Sequence, residues 1–303
     1  MKITIVGTGK VGSAIAFACV MNPIADELLL VNRSHEKAEG DALDLSHASA
    51  LRNSNMRIRA GDIADSKDSD IIVFTASIPY GDPTRPRTEL AEANYQLLCD
   101  WIPDLAQNSP NAILIIVTNP VDMLTYAAIQ LSGFPPNRVV GTGTLLDSVR
   151  YRAMLSQQLE IHSDDIRAYI LGEHGDTQFA AKSVAMTGGE RFYDDEVKDE
   201  IFERTVGMGY KISKLKGFTN YGVAMATLLI LDSVVYDLRH TMPLSVLVDG
   251  FCDVEDVCLS LPTVVGRQGI TRIIHPRLSD DEQQSLRRSA AAVRRTIEQV
   301  GLA

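Results

Sequence analysis

The sequence lacks several features on which whole classes of function depend. Its 303 residues carry a formal net charge of −10 and contain no long run of Lys or Arg, so we expect neither nucleic acid nor an anionic membrane as a partner. No uninterrupted apolar run reaches the length that crosses a bilayer. A lysine and several Gly and Ser residues interrupt the apolar start of the chain, which argues against a targeting signal.

Cysteine is scarce, and the motifs of several hydrolase classes are missing. The four cysteines form no CxxC pair and no Cys/His zinc spacing, which predicts no metal site, no disulfide framework and a reducing cytoplasm as the setting. The sequence also has no HExxH, no GxSxG and no Walker A motif. A zinc hydrolase, a serine hydrolase of the elbow type and a P-loop enzyme are therefore excluded.

A glycine motif stands at the start of the chain in the setting that gives it meaning. The β-branched run 2–6 predicts a strand, residues 13–18 suit a helix, and Gly7, Gly9 and Gly12 form a GxGxxG pattern between them. In such a pattern the first glycine makes the turn, the second admits a pyrophosphate and the third lets helix pack on strand. The sequence therefore predicts a dinucleotide whose pyrophosphate lies at a helix N-terminus.

The end of the second predicted strand bears on which dinucleotide binds. Asn32 stands about where an NAD site normally has Asp or Glu on the ribose 2′-hydroxyl, and Arg33 follows it. Because an arginine attracts a 2′-phosphate that a carboxylate would repel, NADP is an alternative to NAD. Equally, Asn32 could still bond the ribose hydroxyl while Arg33 is a solvated surface residue.

Strand-like and helical segments alternate through the first half, which predicts a Rossmann-type, doubly wound parallel sheet. Residues 139–141 are expected to form its last strand. The pattern then changes, so we place a domain boundary that separates residues 1–143 from an α+β catalytic domain of residues 144–303. Runs at 244–248 and 257–261 predict antiparallel strands there.

The second half carries the residues suited to chemistry. His174 lies in the run Gly-Glu-His-Gly-Asp, where flanking glycines allow a close approach and the imidazole can exchange a proton near neutral pH. Asp147 and Arg150 are three residues apart on a predicted helix and so share a face. The alternatives are a buried histidine satisfied by the backbone and an ordinary surface ion pair.

Together these segments resemble the L-lactate/malate dehydrogenase family, closest to its L-lactate branch, over essentially the whole chain. The ordered motifs that carry the resemblance lie at residues 7–12, 118–122, 141–150, 172–176, 216–219 and 261–269.

The resemblance implies reversible hydride transfer between a nicotinamide cofactor and a small 2-keto acid. His174 would exchange the proton, Asp147 would hold the imidazole, and Arg87 would polarise the carbonyl. The substrate would bind at Arg150, Asn119, Tyr80 and Thr219. The implied cofactor contacts are Gly7, Gly9, Val11, Gly12, Asn32, Arg33, Lys37, Thr75, Ala76, Ser77 and Thr142.

The substrate loop departs from the family pattern, because Gly81, with Tyr80 beside it, stands where malate enzymes have an arginine. A second carboxylate would lack a partner there, so we expect pyruvate and L-lactate. Thr219 also resembles the lactate branch. The alternatives are a bulkier 2-hydroxy acid, then malate, and, outside enzymes, an NAD(P)-binding sensor.

The resemblance further implies self-association as a homodimer or homotetramer. Arg152 and Arg167 match positions where allosteric bacterial relatives hold fructose 1,6-bisphosphate, so a phosphate site is possible; two solvated arginines are the alternative.

Overall fold

The computed structural model describes residues 1–52, 54–78, 87–191 and 195–302, with only the backbone described for residues 87–89 and 195–197. The strands are β1 (Lys2–Val6), β2 (Glu27–Val31), β3 (Arg57–Gly61), β4 (Ile71–Phe74), β5 (Ile113–Ile116), β6 (Val139–Gly141), β7 (Ile166–Arg167), β8 (Ile170–Leu171), β9 (Phe179–Ala180), β10 (Met186–Thr187), β11 (Glu190–Arg191), β12 (His240–Phe251), β13 (Val254–Gly266) and β14 (Gly269–Ile273). The helices are α1 (Lys10–Met21), α2 (His35–Leu51), α3 (Arg87–Asn108), α4 (Val121–Ser132), α5 (Leu145–Leu159), α6 (Asp195–Lys216), α7 (Tyr221–Val235) and α8 (Asp280–Gln299).

A large sheet runs through the molecule in the order β14-β13-β12-β6-β5-β4-β1-β2-β3. The portion from β6 to β3 is parallel. Its strands are mostly buried on both faces, as expected of a sheet with helices on each side, except for the edge strand β3, which carries Arg57 and Arg59. Helix α1 packs against α2 and α7, whereas α3 packs against α4 and α8. The predicted Rossmann-type α/β fold is confirmed, with the order reversing between β1 and β4, where such sheets bind their ligands.

The sheet does not end at β6, and that expectation was wrong. Strand β12 pairs antiparallel with β6 through Ser245 and Gly141, and β13 and β14 extend the sheet further. Strands β12 and β13 are also longer than the apolar runs that predicted them, because their pairing continues on both sides of each run, partly through buried residues such as Met242, Thr263 and Val265. Among the described residues, no helix is both long and apolar enough to cross a membrane.

Candidate active site

The helix that carries Asp147 and Arg150 is fastened to the strand that leads to His174. The Thr144 hydroxyl donates to the carbonyl of Ile170 at 2.6 Å, and the Ser148 hydroxyl accepts from the amide of Ile170 at 2.8 Å. Both hydroxyls are fully buried. Because buried polar groups need partners, these bonds fix the start of α5 against β8.

The three predicted residues meet at this junction. The Nδ1 atom of His174 lies 2.7 Å from Oδ2 of Asp147, and Nη1 of Arg150 donates to the other carboxylate oxygen at 3.0 Å. The Asp147 and Arg150 side chains are 6% and 17% exposed, so this is not the ordinary surface ion pair that the sequence also allowed. The His174 side chain is 31% exposed and can be reached from outside.

The charges in this group favour an imidazolium beside a carboxylate. Burial lowers the pKa of His174, but the charge and hydrogen bond of Asp147, with a contribution from Asp122, outweigh it and hold that pKa above its ordinary value. Burial raises the pKa of Asp147, yet His174 and Arg150 bring it below the usual range. The arrangement can therefore give and take a proton near neutral pH.

Two buried side chains support the site and were not singled out from the sequence. Asp122 accepts a hydrogen bond from the backbone amide of His174 at 2.6 Å. Asn94 accepts from the amide of Ile78 at 2.9 Å and donates to the carbonyl of Asn119 at 2.8 Å. Asp122 lies within the motif at residues 118–122, but its partner His174 is 52 residues away in the sequence. Asn94 lies outside all of the motifs.

The glycine motif forms a turn of the required shape between β1 and α1. Gly7 has φ +96°, and a Cβ at Gly12 would lie 1.9 Å from the carbonyl oxygen of Gly7. Larger residues would therefore disturb the turn at both positions. A Cβ at Gly9 would meet no described heavy atom within 4 Å. The exposed space at Gly9, before the N-terminus of α1, suits the pyrophosphate of a dinucleotide.

The other predicted cofactor residues lie around the same edge of the sheet. The Asn32 side chain donates to the Thr8 hydroxyl at 2.7 Å, which links the ends of β2 and β1, and the Thr75 hydroxyl donates to the carbonyl of Gly7 at 2.6 Å. The side chains of Arg33 and Lys37 are exposed. Val11, Ala76 and Thr142 are half-buried and Ser77 is exposed.

The remaining predicted residues are distributed as follows. Tyr80 and Gly81 lie outside the described residues, and Arg87 is the first residue of α3 but its side chain is not described. Half-buried Thr219 follows Phe218, whose ring centroid is 3.9 Å from Nζ of Lys10 in α1. The segment with Thr219 thus reaches the helix that follows the glycine turn.

The two arginines of the predicted phosphate site lie on α5 and β7, two elements that pack against each other. Burial lowers the pKa of Arg152, and the charge of Arg167 lowers it further, while Tyr169 and Asp164 oppose both effects. Arg152 is half-buried and Arg167 is exposed. Arg167 donates to the carbonyl of Asp164 at 3.0 Å.

This protein combines a glycine turn of the dinucleotide-binding type with a histidine, a carboxylate and an arginine in contact. That combination is typical of nicotinamide-dependent dehydrogenases. Comparison with known protein families specifies which family of dehydrogenases this is. The family model for the lactate/malate dehydrogenase NAD binding domain matches residues 1–141, and that for the lactate/malate dehydrogenase alpha/beta C-terminal domain matches residues 144–301. The chain belongs to the lactate/malate dehydrogenase family, and NAD is the supported cofactor.

The similarity to known proteins covers nearly the full chain. The chain is 36% identical to L-lactate dehydrogenase 1 of Clostridium acetobutylicum over 99% of this chain and 98% of that protein. It is 37% identical to L-lactate dehydrogenase of Lacticaseibacillus casei over 98% of this chain and 93% of that protein. A crystal structure of a lactate dehydrogenase from a Medee basin deep-sea metagenome library has a TM-score of 0.95 at 34% identity, covering 99% of this chain and 98% of that one. A crystal structure of the minor L-lactate dehydrogenase from Enterococcus mundtii has a TM-score of 0.93 at 30% identity, with the same coverage of both chains.

Proposed function

We propose that this protein is an L-lactate dehydrogenase that interconverts pyruvate and L-lactate with NADH and NAD. The observation that carries the proposal is the contact of one carboxylate, Asp147, with both His174 and Arg150. The curated relatives cited above are named L-lactate dehydrogenases, which favours lactate over malate or a bulkier substrate.

His174 serves as the proton donor and acceptor. Its Nδ1 atom faces Asp147, so Nε2 is the nitrogen that exchanges a proton with the substrate oxygen at C2. In reduction the imidazolium gives this proton to the developing hydroxyl, and in oxidation the neutral imidazole takes it back. Asp147 keeps the ring in the tautomer that this exchange requires. The nicotinamide, when bound, supplies or accepts the hydride.

Arg150 and Asn119 orient the substrate. Arg150 uses one nitrogen on Asp147, and the other donors of its planar guanidinium can bind the substrate carboxylate. Asn119 lies at the carboxyl end of β5, and Asn94 holds its carbonyl. Arg87 would polarise the substrate carbonyl and Tyr80 and Thr219 would line the pocket, as the family resemblance implies. These roles are part of the proposal.

The residues at the glycine turn fit a bound NAD, because Gly9 leaves space next to the N-terminus of α1. Asn32 and the exposed Arg33 bear on whether NADP can also bind. We expect kcat/KM for NADPH to fall when Arg33 is replaced by Ala, with NADH little affected. Unchanged NADPH kinetics would mean that Arg33 does not contact a 2′-phosphate.

Steady-state kinetics test the proposal. We expect NADH-dependent reduction of pyruvate to exceed that of 2-ketoisocaproate and oxaloacetate, and Arg150→Lys to raise KM for pyruvate because Lys cannot bind a carboxylate bidentately. An oxaloacetate preference of about a hundredfold would reject the lactate assignment. NADH binding without turnover of any keto acid would instead favour a sensor.

Regulation by a sugar bisphosphate is a second part of the proposal, supported by the proximity of Arg152 and Arg167. Fructose 1,6-bisphosphate should lower KM for pyruvate in the wild type but not in Arg167→Ala. Pyruvate kinetics that do not respond to the bisphosphate would remove this part and leave the activity assignment intact.

Self-association completes the proposal. Large apolar side chains are exposed on α1 (Phe17, Met21), α2 (Leu43) and α7 (Tyr221, Met225), and α1 packs against α2 and α7. Such side chains are typical of interfaces. We propose that these side chains are buried between copies of the chain in a homodimer or homotetramer. We also propose that the protein works in a reducing cytoplasm, where the cysteines stay as thiols. A monomer in analytical ultracentrifugation would reject the interface.

A further inference from the structure

Asp122 is a buried carboxylate that the proposed reaction does not use. It lies in the first turn of α4 and is 3% exposed. Its Oδ2 atom accepts from the backbone amide of His174 at 2.6 Å, and its Oδ1 atom accepts from the hydroxyl of Ser245 in β12 at 2.5 Å. One side chain of the first half therefore holds two segments of the second half, 52 and 123 residues away.

A small residue in the sheet makes this contact possible. A Cβ at Gly141 would lie 2.3 Å from the Thr125 hydroxyl and 2.8 Å from Cβ of Ser245. Glycine at this position of β6 thus lets α4 and β12 approach each other closely enough for Ser245 to reach Asp122.

The hydrogen bonds alone do not require a charged residue here. Both donors are neutral, and an asparagine could accept from the amide and donate to the serine. Burying a carboxylate is unfavourable unless something compensates for the lost hydration. The groups that act on Asp122 electrostatically are His174, whose positive charge favours the ionised carboxylate, and Glu173, which opposes it; the thiol of Cys258 in β13 is also within its field.

We propose that Asp122 is a positioning residue for His174: it fixes the backbone of the histidine against the first half of the chain, and its negative charge stabilises the imidazolium. The inference rests on the proposed function, since it gives His174 the role of proton donor. Asp147 and Arg150 also act on the imidazole. Asp122 acts from the backbone side, so its contribution is separable from the direct contact of Asp147.

The test uses Asp122→Asn, which keeps the shape and both hydrogen bonds but removes the charge. Burial raises the pKa of Asp122 to about 6, so the wild-type carboxylate is ionised in a mildly alkaline assay. Loss of its charge lowers the pKa of His174. The alkaline limb of the pH profile for pyruvate reduction should therefore move to lower pH, with a several-fold loss of rate on that limb and little change in KM for NADH.

Further variants separate a positioning role from a purely structural one. Asp122→Ala, which removes the acceptor as well, should lower kcat for reduction by roughly tenfold or more. Asp44→Asn changes an exposed carboxylate of α2 and should leave the profile in place. If Asp122→Asn does not fold, Ser245→Ala provides the same test. That change removes a donor from Asp122 and so raises the pKa of its carboxyl; the charge is then lost over part of the pH range, and the limb should move in the same direction by a smaller amount.

An NMR titration of the His174 ring in the wild type and in Asp122→Asn gives a readout that needs no turnover. A lower His174 pKa in the variant supports the inference even if pyruvate proves to be the wrong substrate. If the wild type reduces pyruvate while the variant keeps the same limb and the same His174 titration, the inference is overturned. A wild type without dehydrogenase activity would contradict the proposed function instead.

Discussion

Both oxygens of the Asp147 carboxylate are engaged, one by the imidazole of His174 and one by the guanidinium of Arg150. Replacing Asp147 with Asn removes the charge that holds the imidazolium and the partner of a mostly buried arginine. We expect kcat for pyruvate reduction to fall roughly 10²- to 10⁴-fold. The alkaline limb of the pH–rate profile should also move to lower pH. Stopped-flow turnover of NADH across the pH range measures both, with the exposed Asp44→Asn as control.

The buried Asp122 carboxylate predicts a pH-dependent stability difference. Its pKa is 3.8 ordinarily and about 6 in the folded protein, so the folded state binds this proton more tightly than the unfolded state. The resulting destabilisation is absent below the lower value, grows between the two and is complete above about 6. Asp122→Asn should therefore raise Tm at about pH 8 and have progressively less effect toward ~pH 4. A variant less stable than the wild type at the alkaline end would contradict this account.

At the scale of single elements, the turn that joins β1 to α1 separates folding from cofactor binding. A Cβ at Gly12 would overlap the carbonyl of Gly7, whereas one at Gly9 would enter open space. Gly12→Ala should lower stability by about 1–3 kcal/mol or more because the turn cannot expand. Gly9→Ala should leave Tm nearly unchanged and raise KM for NADH several-fold.

A third glycine provides the control for that pair. Gly40 lies inside α2, where a Cβ would meet no described heavy atom within 4 Å. Gly40→Ala should stabilise the protein by about 0.5–1 kcal/mol and leave NADH kinetics unchanged. Thermal unfolding and NADH saturation curves on the three variants check the set. Equal effects of Gly9→Ala and Gly12→Ala on both measurements would contradict the assigned difference.

Elements with strong local signals were predictable from the sequence, and contacts between distant segments were not. The ion pair of Asp147 and Arg150 follows from helical spacing. The extension of the sheet through β12 could not be predicted, because nothing in residues 139–141 indicates which strand will pair with them. Asp122 was missed for the same reason, since its role depends on Ser245 and His174, which only the tertiary fold brings near.

At the scale of the whole molecule, the two halves share the nine-stranded sheet and the larger of two apolar clusters. The same apolar cluster contains Ile115 of β5, Leu244 of β12 and Leu261 of β13. We therefore predict one cooperative unfolding transition rather than two. Trp101, the single tryptophan, contacts Phe74 of β4, so its fluorescence reports on the first half. Hydrogen exchange of β13 reports on the second. Loss of the two signals at clearly different denaturant concentrations would contradict the prediction.

The pairing of β6 with β12 also limits how the chain could be divided. Fission of the backbone near Gly143 would leave β6 as an open edge on one fragment and β12 on the other. Unpaired edges of this kind recruit other strands and promote aggregation. The nucleotide-binding half is therefore not a portable module: transplanted into another protein, it would need a new neighbour to cover β6.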